Sequence, residues 1–272
     1  MFRKIICCIF CFLLLVSALT AQDRDIRERF HREPGFGEPN FGIYHDNYFI
    51  TGIPTDRRID KNTANAKFQI SIRQILFKDL LPHDIMFMLT YTQKSFWDIY
   101  RTSFPFTDNN YNPGLCAVMP VTQDGRLISN IVVGFEHESN GRDSIESRSI
   151  NYFFISGSYY YDHFSAQVKL WSGWIDKEGN PNYFRYKGYG LIAVNYRTAN
   201  DRFRFSAAVN PRDSFRAFNT QLEASLQLRK YTNQYTFIQW YQGCAEGMLN
   251  YTQYNSMVRV GICIKPAFFN HY

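Results

Sequence analysis

The chain has 272 residues, 18% of them aromatic, and 30 basic side chains against 24 acidic ones give a net charge of +6. This length allows one large β domain or two small ones. The charge excess is mild and no basic helix is evident, so the composition does not favour nucleic-acid binding.

The first 21 residues have the pattern of a secretory signal peptide. Positions 3 and 4 are basic, and the apolar core that follows, Ile5 to Val16, is too short to span a bilayer. A membrane anchor is the alternative interpretation. Small residues allow cleavage after Ala18 or after Ala21. We therefore expect an exported protein.

Residues 22–42 are charged and rich in turn-forming residues, which predicts a flexible, exposed leader. Beyond the signal peptide, three cysteines remain: Cys116, Cys244 and Cys263. Their number is odd and no C-x-x-C spacing occurs, so neither a metal site nor a disulfide framework is indicated. One disulfide could still form in an oxidising compartment.

From residue 43 onward, segments of about ten residues alternate in polarity or are rich in aromatic residues, as β-strands are. Twelve strands are predicted: 43–53, 68–77, 85–97, 113–122, 127–139, 150–161, 164–175, 186–198, 202–210, 218–229, 234–245 and 250–264. Short turns alternate with long connections, and the strand count is even. Both features are typical of transmembrane β-barrels. The expected fold for residues 43–272 is all-β, a twelve-stranded antiparallel transmembrane β-barrel.

A soluble barrel with an apolar interior would show the same alternation. The aromatic residues are too many to fit inside one barrel, however, so we assign the polar faces to the interior. This assignment places four charged side chains inside, as structural charge networks: Glu136, Glu138, Arg259 and Lys265.

The hairpin of residues 131–154 carries polar residues where its outward face should be apolar. Alternate residues of its first strand share that face: Ile131, Val133, Phe135, His137 and Ser139. On the second strand, Asn151 shares a face with the apolar Phe153. A serine, a histidine and an asparagine brought together can form a nucleophile, its base and the group that orients the base. With both chain ends in the periplasm, these residues lie at the outer rim and face lipid.

The block H-E-S-N-G-R at 137–142, followed by S-R-S-I-N at 147–151, resembles the signature of the outer membrane phospholipase A family. Further similar segments are Y-T-Q-K-S-F-W at 91–97, N-N-Y-N-P at 109–113 and R-Y-K-G-Y-G at 185–190. The resemblance extends roughly from Tyr44 to the C-terminus. Glu136 and Glu138 depart from it, since the family has Asn and Asp at these positions.

The resemblance implies that Ser139 is the nucleophile, His137 its base and Asn151 the orienting residue. It also implies that the Gly141 amide and a calcium-bound water hold the oxyanion.

The implied Ca²⁺ ligands are the Ser147 side chain and the backbone oxygens of Arg142 and Ser103, in a site shared between two subunits. Oxygen ligands of this kind suit Ca²⁺. Without the resemblance, Ser103 and Ser147 would be interpreted as ordinary loop serines.

Gln93 is expected to point outward among apolar residues. An unpaired amide in hydrocarbon costs roughly 1–3 kcal/mol or more, so Gln93 of a second copy is a candidate partner. The alternative is that Gln93 reaches headgroups or water. The resemblance places this segment in a dimer contact.

The expected function is therefore calcium-dependent hydrolysis of acyl esters in phospholipids and lysophospholipids by a homodimer. The expected location is the outer membrane of a Gram-negative bacterium, with the active site at the extracellular-facing rim. Two alternatives stay open: a pore or structural barrel without lipase activity, and a lipase-like enzyme for another ester.

Overall fold

The computed structural model describes residues 39–78, 82–124, 126–175, 178–200, 202–230 and 232–266. The predicted signal peptide, most of the predicted leader and residues 267–272 lie outside this part of the chain. Among the described residues, no helix is long and apolar enough to cross a membrane.

Antiparallel strands make up most of the described chain. Their bounds are β1 Phe41–Ile43, β2 Asn47–Pro54, β3 Asn65–Phe77, β4 Met86–Trp97, β5 Phe106–Gln123, β6 Arg126–Ser139, β7 Ser149–Tyr161, β8 Phe164–Ile175, β9 Gly190–Arg197, β10 Phe203–Arg212, β11 Ala217–Gln227, β12 Gln234–Gly243 and β13 Asn255–Ile264. In the described part of the chain, a short helix, α1, spans Tyr183–Lys187, and 3₁₀ turns span Pro82–Asp84 and Ser144–Glu146.

The sheet closes on itself, because β13 pairs with β2 and β3 pairs with β4. β4 occupies one edge of β3 along its length, so β1 and β2 must share the other edge. They form one barrel strand interrupted at residues 44–46. The closed barrel thus has twelve strands, and the predicted fold is confirmed. Phe41 and Gly42, which the sequence assigns to the leader, belong to β1.

Three predicted boundaries are wrong. The segment predicted as the start of strand 186–198 contains the end of α1, and β9 begins only at Gly190. The connection predicted at 98–112 is shorter in the structure, because β5 already begins at Phe106. The gap left between the last two predicted strands, 246–249, is a longer loop in the structure, residues 244–254, in which Met248 is fully buried. Loops that fold back into a barrel have no periodicity, so local patterns do not reveal this one.

The two faces of each strand differ as expected. In β8, the buried residues Gln167 and Lys169 alternate with the exposed residues Val168 and Leu170. Apolar side chains therefore cover the outside of the barrel and polar ones fill the inside.

Ion pairs join several of the charged side chains inside the barrel. Lys169 Nζ lies 3.2 Å from Glu136 Oε1, and three further pairs are Lys187–Glu138, Lys265–Asp46 and Arg259–Glu246. The four charged residues assigned to the interior thus all lie there. Within the described chain, the three cysteines are buried and unbonded to each other.

Candidate active site

His137 and Asn151 form a direct contact across the β6–β7 hairpin. The two residues face each other in the strand register, and His137 Nδ1 lies 2.9 Å from Asn151 Oδ1. An amide oxygen can only accept, so this hydrogen bond requires the proton on Nδ1. The neutral imidazole then keeps its lone pair on Nε2, as a general base needs.

This pair belongs to the outward face of the barrel. Val133 on β6 and Phe153 and Ile155 on β7 share that face and are exposed, while Glu136 between them is buried with Lys169 inside. The alternation that put polar residues inside therefore puts His137 and Asn151 on the apolar, outer surface. Trp174, which sequence reasoning did not single out, lies opposite Asn151 on β8 and is also exposed.

Ser139 lies two residues beyond His137, on the same face and at the end of β6. Its neighbours across the sheet are Ser149 on β7 and Tyr111 on β5. Among the described residues, no hydrogen bond joins Ser139 to His137. Nucleophile–base contacts of this type are often longer without substrate than in the reacting complex.

Asn140 organises the loop that follows Ser139, and sequence analysis missed it. Its side chain, only 4% exposed, accepts from the amides of Arg148 at 2.9 Å and Arg142 at 3.3 Å. Its Nδ2 donates to Glu146 O at 2.8 Å. One asparagine therefore holds both ends of the loop together. The available signal was its place between Ser139 and Gly141 in the matched motif.

Gly141 has the left-handed backbone that a non-glycine residue rarely adopts, with φ of +66°. A Cβ at this position would lie 2.8 Å from Cε2 of Tyr111. Within the described part of the chain, no group accepts a hydrogen bond from the Gly141 amide. This amide sits two residues after Ser139 and is available to an anion.

The residues expected to bind calcium lie on two loops at the same end of the barrel. Arg142 and Ser147 belong to the loop after β6, and Ser103, with φ of +69°, belongs to the loop between β4 and β5. Arg142 ties its loop to the first residues of β5, because its Nη2 donates to Thr107 O at 2.7 Å. Its guanidinium also pairs with Glu146.

The donor set fits a hard cation. Arg142 O, Ser103 O and the Ser147 hydroxyl accept no hydrogen bond from any described residue, so all three oxygens are available. The described residues contain no cluster of three His, Cys, Asp or Glu side chains arranged for a metal. A cation here would therefore rely on carbonyl and hydroxyl oxygens, which suits Ca²⁺ better than transition metals.

Gln93 lies on the outward face of β4, as expected, since Met88 and Thr90 of the opposite parity are buried. Its amide is not without partners. Tyr91 Oη donates to its Oε1, and its Nε2 donates to Ser95 Oγ, both at 3.1 Å. The desolvation argument for a second subunit is therefore weaker than the sequence suggested.

Comparison with known proteins adds to this geometry. The family described as phospholipase A1 matches residues 43–264. Phospholipase A1 of Klebsiella pneumoniae is 27% identical over 207 residues, which are 75% of this chain and 71% of that protein. Phospholipase A1 of Escherichia coli K12 is 26% identical over 207 residues, 75% of this chain and 70% of that protein.

Two solved structures share the fold. Outer membrane phospholipase A from Escherichia coli superposes with a TM-score of 0.75 at 24% identity, covering 85% of this chain and all of that one. The Salmonella typhi outer membrane phospholipase, a dimer with bound calcium, gives a TM-score of 0.75 at 23% identity. It covers 89% of this chain and 97% of that one.

Proposed function

The chain belongs to the phospholipase A1 family, and from this premise we propose that it hydrolyses acyl esters of phospholipids and lysophospholipids through Ser139, His137 and Asn151. The observation that carries the proposal is the 2.9 Å contact between His137 and Asn151 on the outward, apolar face of the barrel. A triad on that face can meet a lipid ester without drawing the lipid far out of its layer.

In the proposed reaction, Ser139 Oγ attacks the ester carbonyl carbon while His137 Nε2 takes the hydroxyl proton. The tetrahedral intermediate collapses, the ester C–O bond breaks, and the imidazolium returns its proton to the departing alcohol. Water, activated by His137, then hydrolyses the acyl-serine to release a fatty acid. Asn151 keeps the imidazole in the required tautomer, although it lacks the charge an aspartate would add.

The oxyanion of each tetrahedral intermediate needs hydrogen-bond donors. The Gly141 amide is the candidate within this chain, and one such donor contributes about 3–4 kcal/mol in comparable sites. Tyr111 packs where a side chain at 141 would lie, and Asn140 fixes the loop, so this amide is held in place before substrate binds.

Calcium is the expected cofactor, held by the oxygens of Ser103, Arg142 and Ser147. When bound, it would supply positive charge beside the oxyanion. The Salmonella typhi relative is a calcium-bound dimer, and we propose a homodimer here too, with Gln93 in the contact. A side-chain amide has two donor hydrogens and two acceptor sites. Because Tyr91 and Ser95 use one of each, Gln93 keeps one donor hydrogen and one acceptor site for a partner subunit.

We place the protein in the outer membrane of a Gram-negative bacterium, with the active site at the extracellular-facing rim. Two features support this placement: the barrel is closed, and the active site lies at the end of the barrel that carries the long loops. The loop after β6 is one of the long connections, and the tight turns, such as residues 162–163, lie at the opposite end. Short turns in outer-membrane barrels are periplasmic.

The test is fatty-acid release from phospholipid by the purified chain in detergent. Ser139→Ala and His137→Ala should each reduce turnover by several orders of magnitude, as in other triads, whereas Asn151→Ala should lose less. Ser149→Ala is the matched control, because Ser149 faces Ser139 across the hairpin. Wild-type turnover in either of the first two variants would show that the triad is wrongly assigned. A folded wild-type barrel without hydrolysis would favour the pore or structural alternative.

A further inference from the structure

A groove of about 780 Å³ opens on the outer wall of the barrel, at the end that carries the catalytic loop. Its floor consists of the exposed side chains of Val168 and Leu170 on β8 and Ile192 on β9. Helix α1 and residues 213–215 of the following turn border it at the rim. The volume lies within the range of about 300–1,000 Å³ usual for ligand sites.

The R-Y-K-G-Y-G segment, which the catalytic site does not use, builds the rim of this groove. Gly188 has φ of +82°, and a Cβ there would lie 2.2 Å from Pro211 O, so the segment can pass β10 only with a glycine. Trp171 Nε1 donates to Gly188 O at 2.9 Å, and the Asp213 amide donates to Arg185 O at 3.0 Å. These bonds fix the groove in the absence of any ligand.

The polar groups of the groove suit an anion at its rim. Arg185, whose side chain is 60% exposed, donates from Nε to Asp213 Oδ1 at 2.8 Å. Within the described residues, its two Nη groups have no partner, and paired N–H groups of this kind bind phosphate in bidentate fashion. Arg212 also lines the groove, so two arginines and one aspartate leave it with one net positive charge.

A strained turn adds an apolar side chain to the same rim. Asp213, Ser214 and Phe215 all have positive φ, from 48° to 67°. Such conformations cost energy in residues other than glycine. The turn leaves the Phe215 ring 76% exposed beside the groove. An exposed ring held by an unfavourable backbone is consistent with contact to an apolar phase.

We propose that this groove binds one intact anionic glycerophospholipid, with an acyl chain along Val168, Leu170 and Ile192 and its phosphate on the Nη groups of Arg185. The apolar floor continues the outward face of the barrel, and the cation sits at the rim, which matches the chain and headgroup of such a lipid.

The groove lies next to the catalytic hairpin, since Leu170 faces Ile155 of β7 in the strand register. Gln93 on β4 lies on the other side of that hairpin. A dimer formed through Gln93 would therefore leave the groove open to the membrane. A lipid bound in the groove would therefore place a phospholipid beside the catalytic hairpin. Lipid binding in the groove does not require the catalytic triad.

The test is lipid binding by the full chain carrying Ser139→Ala, so that bound lipid is not cleaved. Native mass spectrometry from detergent would count retained phosphatidylglycerol, diacylglycerol or lipopolysaccharide per chain. Arg185→Glu should weaken phosphatidylglycerol retention roughly tenfold, as expected for a lost charged hydrogen bond, and leave diacylglycerol unchanged. Arg216→Glu is the matched control, an exposed arginine of the same turn that does not line the groove.

A second pair of variants tests the acyl chain. Ile192→Trp fills the floor and should reduce retention of both glycerolipids, whereas Val194→Trp, on the same face of β9 but outside the groove, should not. Equal phosphatidylglycerol retention in Arg185→Glu and Arg216→Glu would overturn the proposal, as would preferential retention of lipopolysaccharide. Hydrolysis by the chain with Ser139 intact is measured separately, so failure of this binding and failure of the proposed enzymatic function remain distinguishable.

Discussion

Replacing Glu246 by glutamine would remove the carboxylate that neutralises two cations inside the barrel. Glu246 belongs to the loop of residues 244–254, and its side chain is 4% exposed. Arg259 Nη1 lies 2.7 Å from its Oε1, and Lys67 Nζ lies 3.1 Å from the same atom. Asn255 Nδ2 donates to Oε2 at 2.6 Å. Glutamine keeps the volume but leaves both cations without their counter-charge.

The size of the effect follows from the pKa of this carboxyl. Burial alone would raise the pKa of Glu246, but the charges of Arg259 and Lys67 outweigh it and hold the pKa at about 2, against an ordinary value of 4.5. Because one pKa unit is worth about 1.4 kcal/mol, the ionised form contributes about 3 kcal/mol to folding. Breaking a buried ion pair from one side costs about 3–5 kcal/mol. We therefore expect Glu246→Gln to destabilise the barrel by about 3 kcal/mol.

The assay is urea unfolding of the barrel in lipid vesicles, followed by tryptophan fluorescence. Asp56→Asn is the control, because it breaks an ion pair with Arg57 whose two side chains are 27% and 42% exposed. Losing such a surface pair should change stability by less than about 1 kcal/mol. Adding Arg259→Met to Glu246→Gln should cost less than the sum of the two single changes, since the residues are in contact. Additive losses, or a Glu246→Gln effect as small as the control's, would refute this reasoning.

The same ion pair predicts a pH dependence. The folded-state pKa of Glu246 is lowered, so its stabilisation is fully present above the unfolded-state value near 4.5 and is lost as pH falls toward about 2. The difference in unfolding free energy between wild type and Glu246→Gln should therefore narrow across this range. A difference that stays constant from pH 5 down to about 2 would contradict the assignment.

Three further predictions concern the proposed site. Excess chelator should abolish fatty-acid release, and Ca²⁺ should restore it better than Mg²⁺, because flexible oxygen ligands suit the larger ion; full activity in chelator would argue against the cofactor. Gln93→Ala should lower the yield of cross-linked dimer in detergent, and an unchanged yield would mean that Tyr91 and Ser95 satisfy the amide. Asn140→Ala should reduce turnover while the barrel stays folded, because the loop carrying Gly141 loses three hydrogen bonds; wild-type turnover would show that the loop keeps its shape without them.

Local sequence patterns were enough to predict the strands of the barrel wall and which of their residues face inward. Each strand exposes alternate residues to two different environments, so the period of two marks both its existence and its inner and outer faces. This is why the amino-acid order alone assigns Glu136 to the interior and His137 to the outside. The same parity placed Ser139, His137 and Asn151 on one face of one hairpin, because the three residues are close in sequence.

Contacts between segments distant in sequence determined the inward-folded loop, helix α1 and the groove. Glu246 meets Lys67, 179 residues away in sequence, and no local pattern marks a loop that turns into the barrel. The position of helix α1 depends on Gly188, which lets the chain pass close to Pro211. It also depends on Trp171 of β8, whose Nε1 donates a hydrogen bond to Gly188 O just after the helix. The groove beside β8 and β9 needs both strands, this helix and the turn at residues 213–216. Its shape depends on how separate segments pack, and this packing leaves no periodic signal in the amino-acid order.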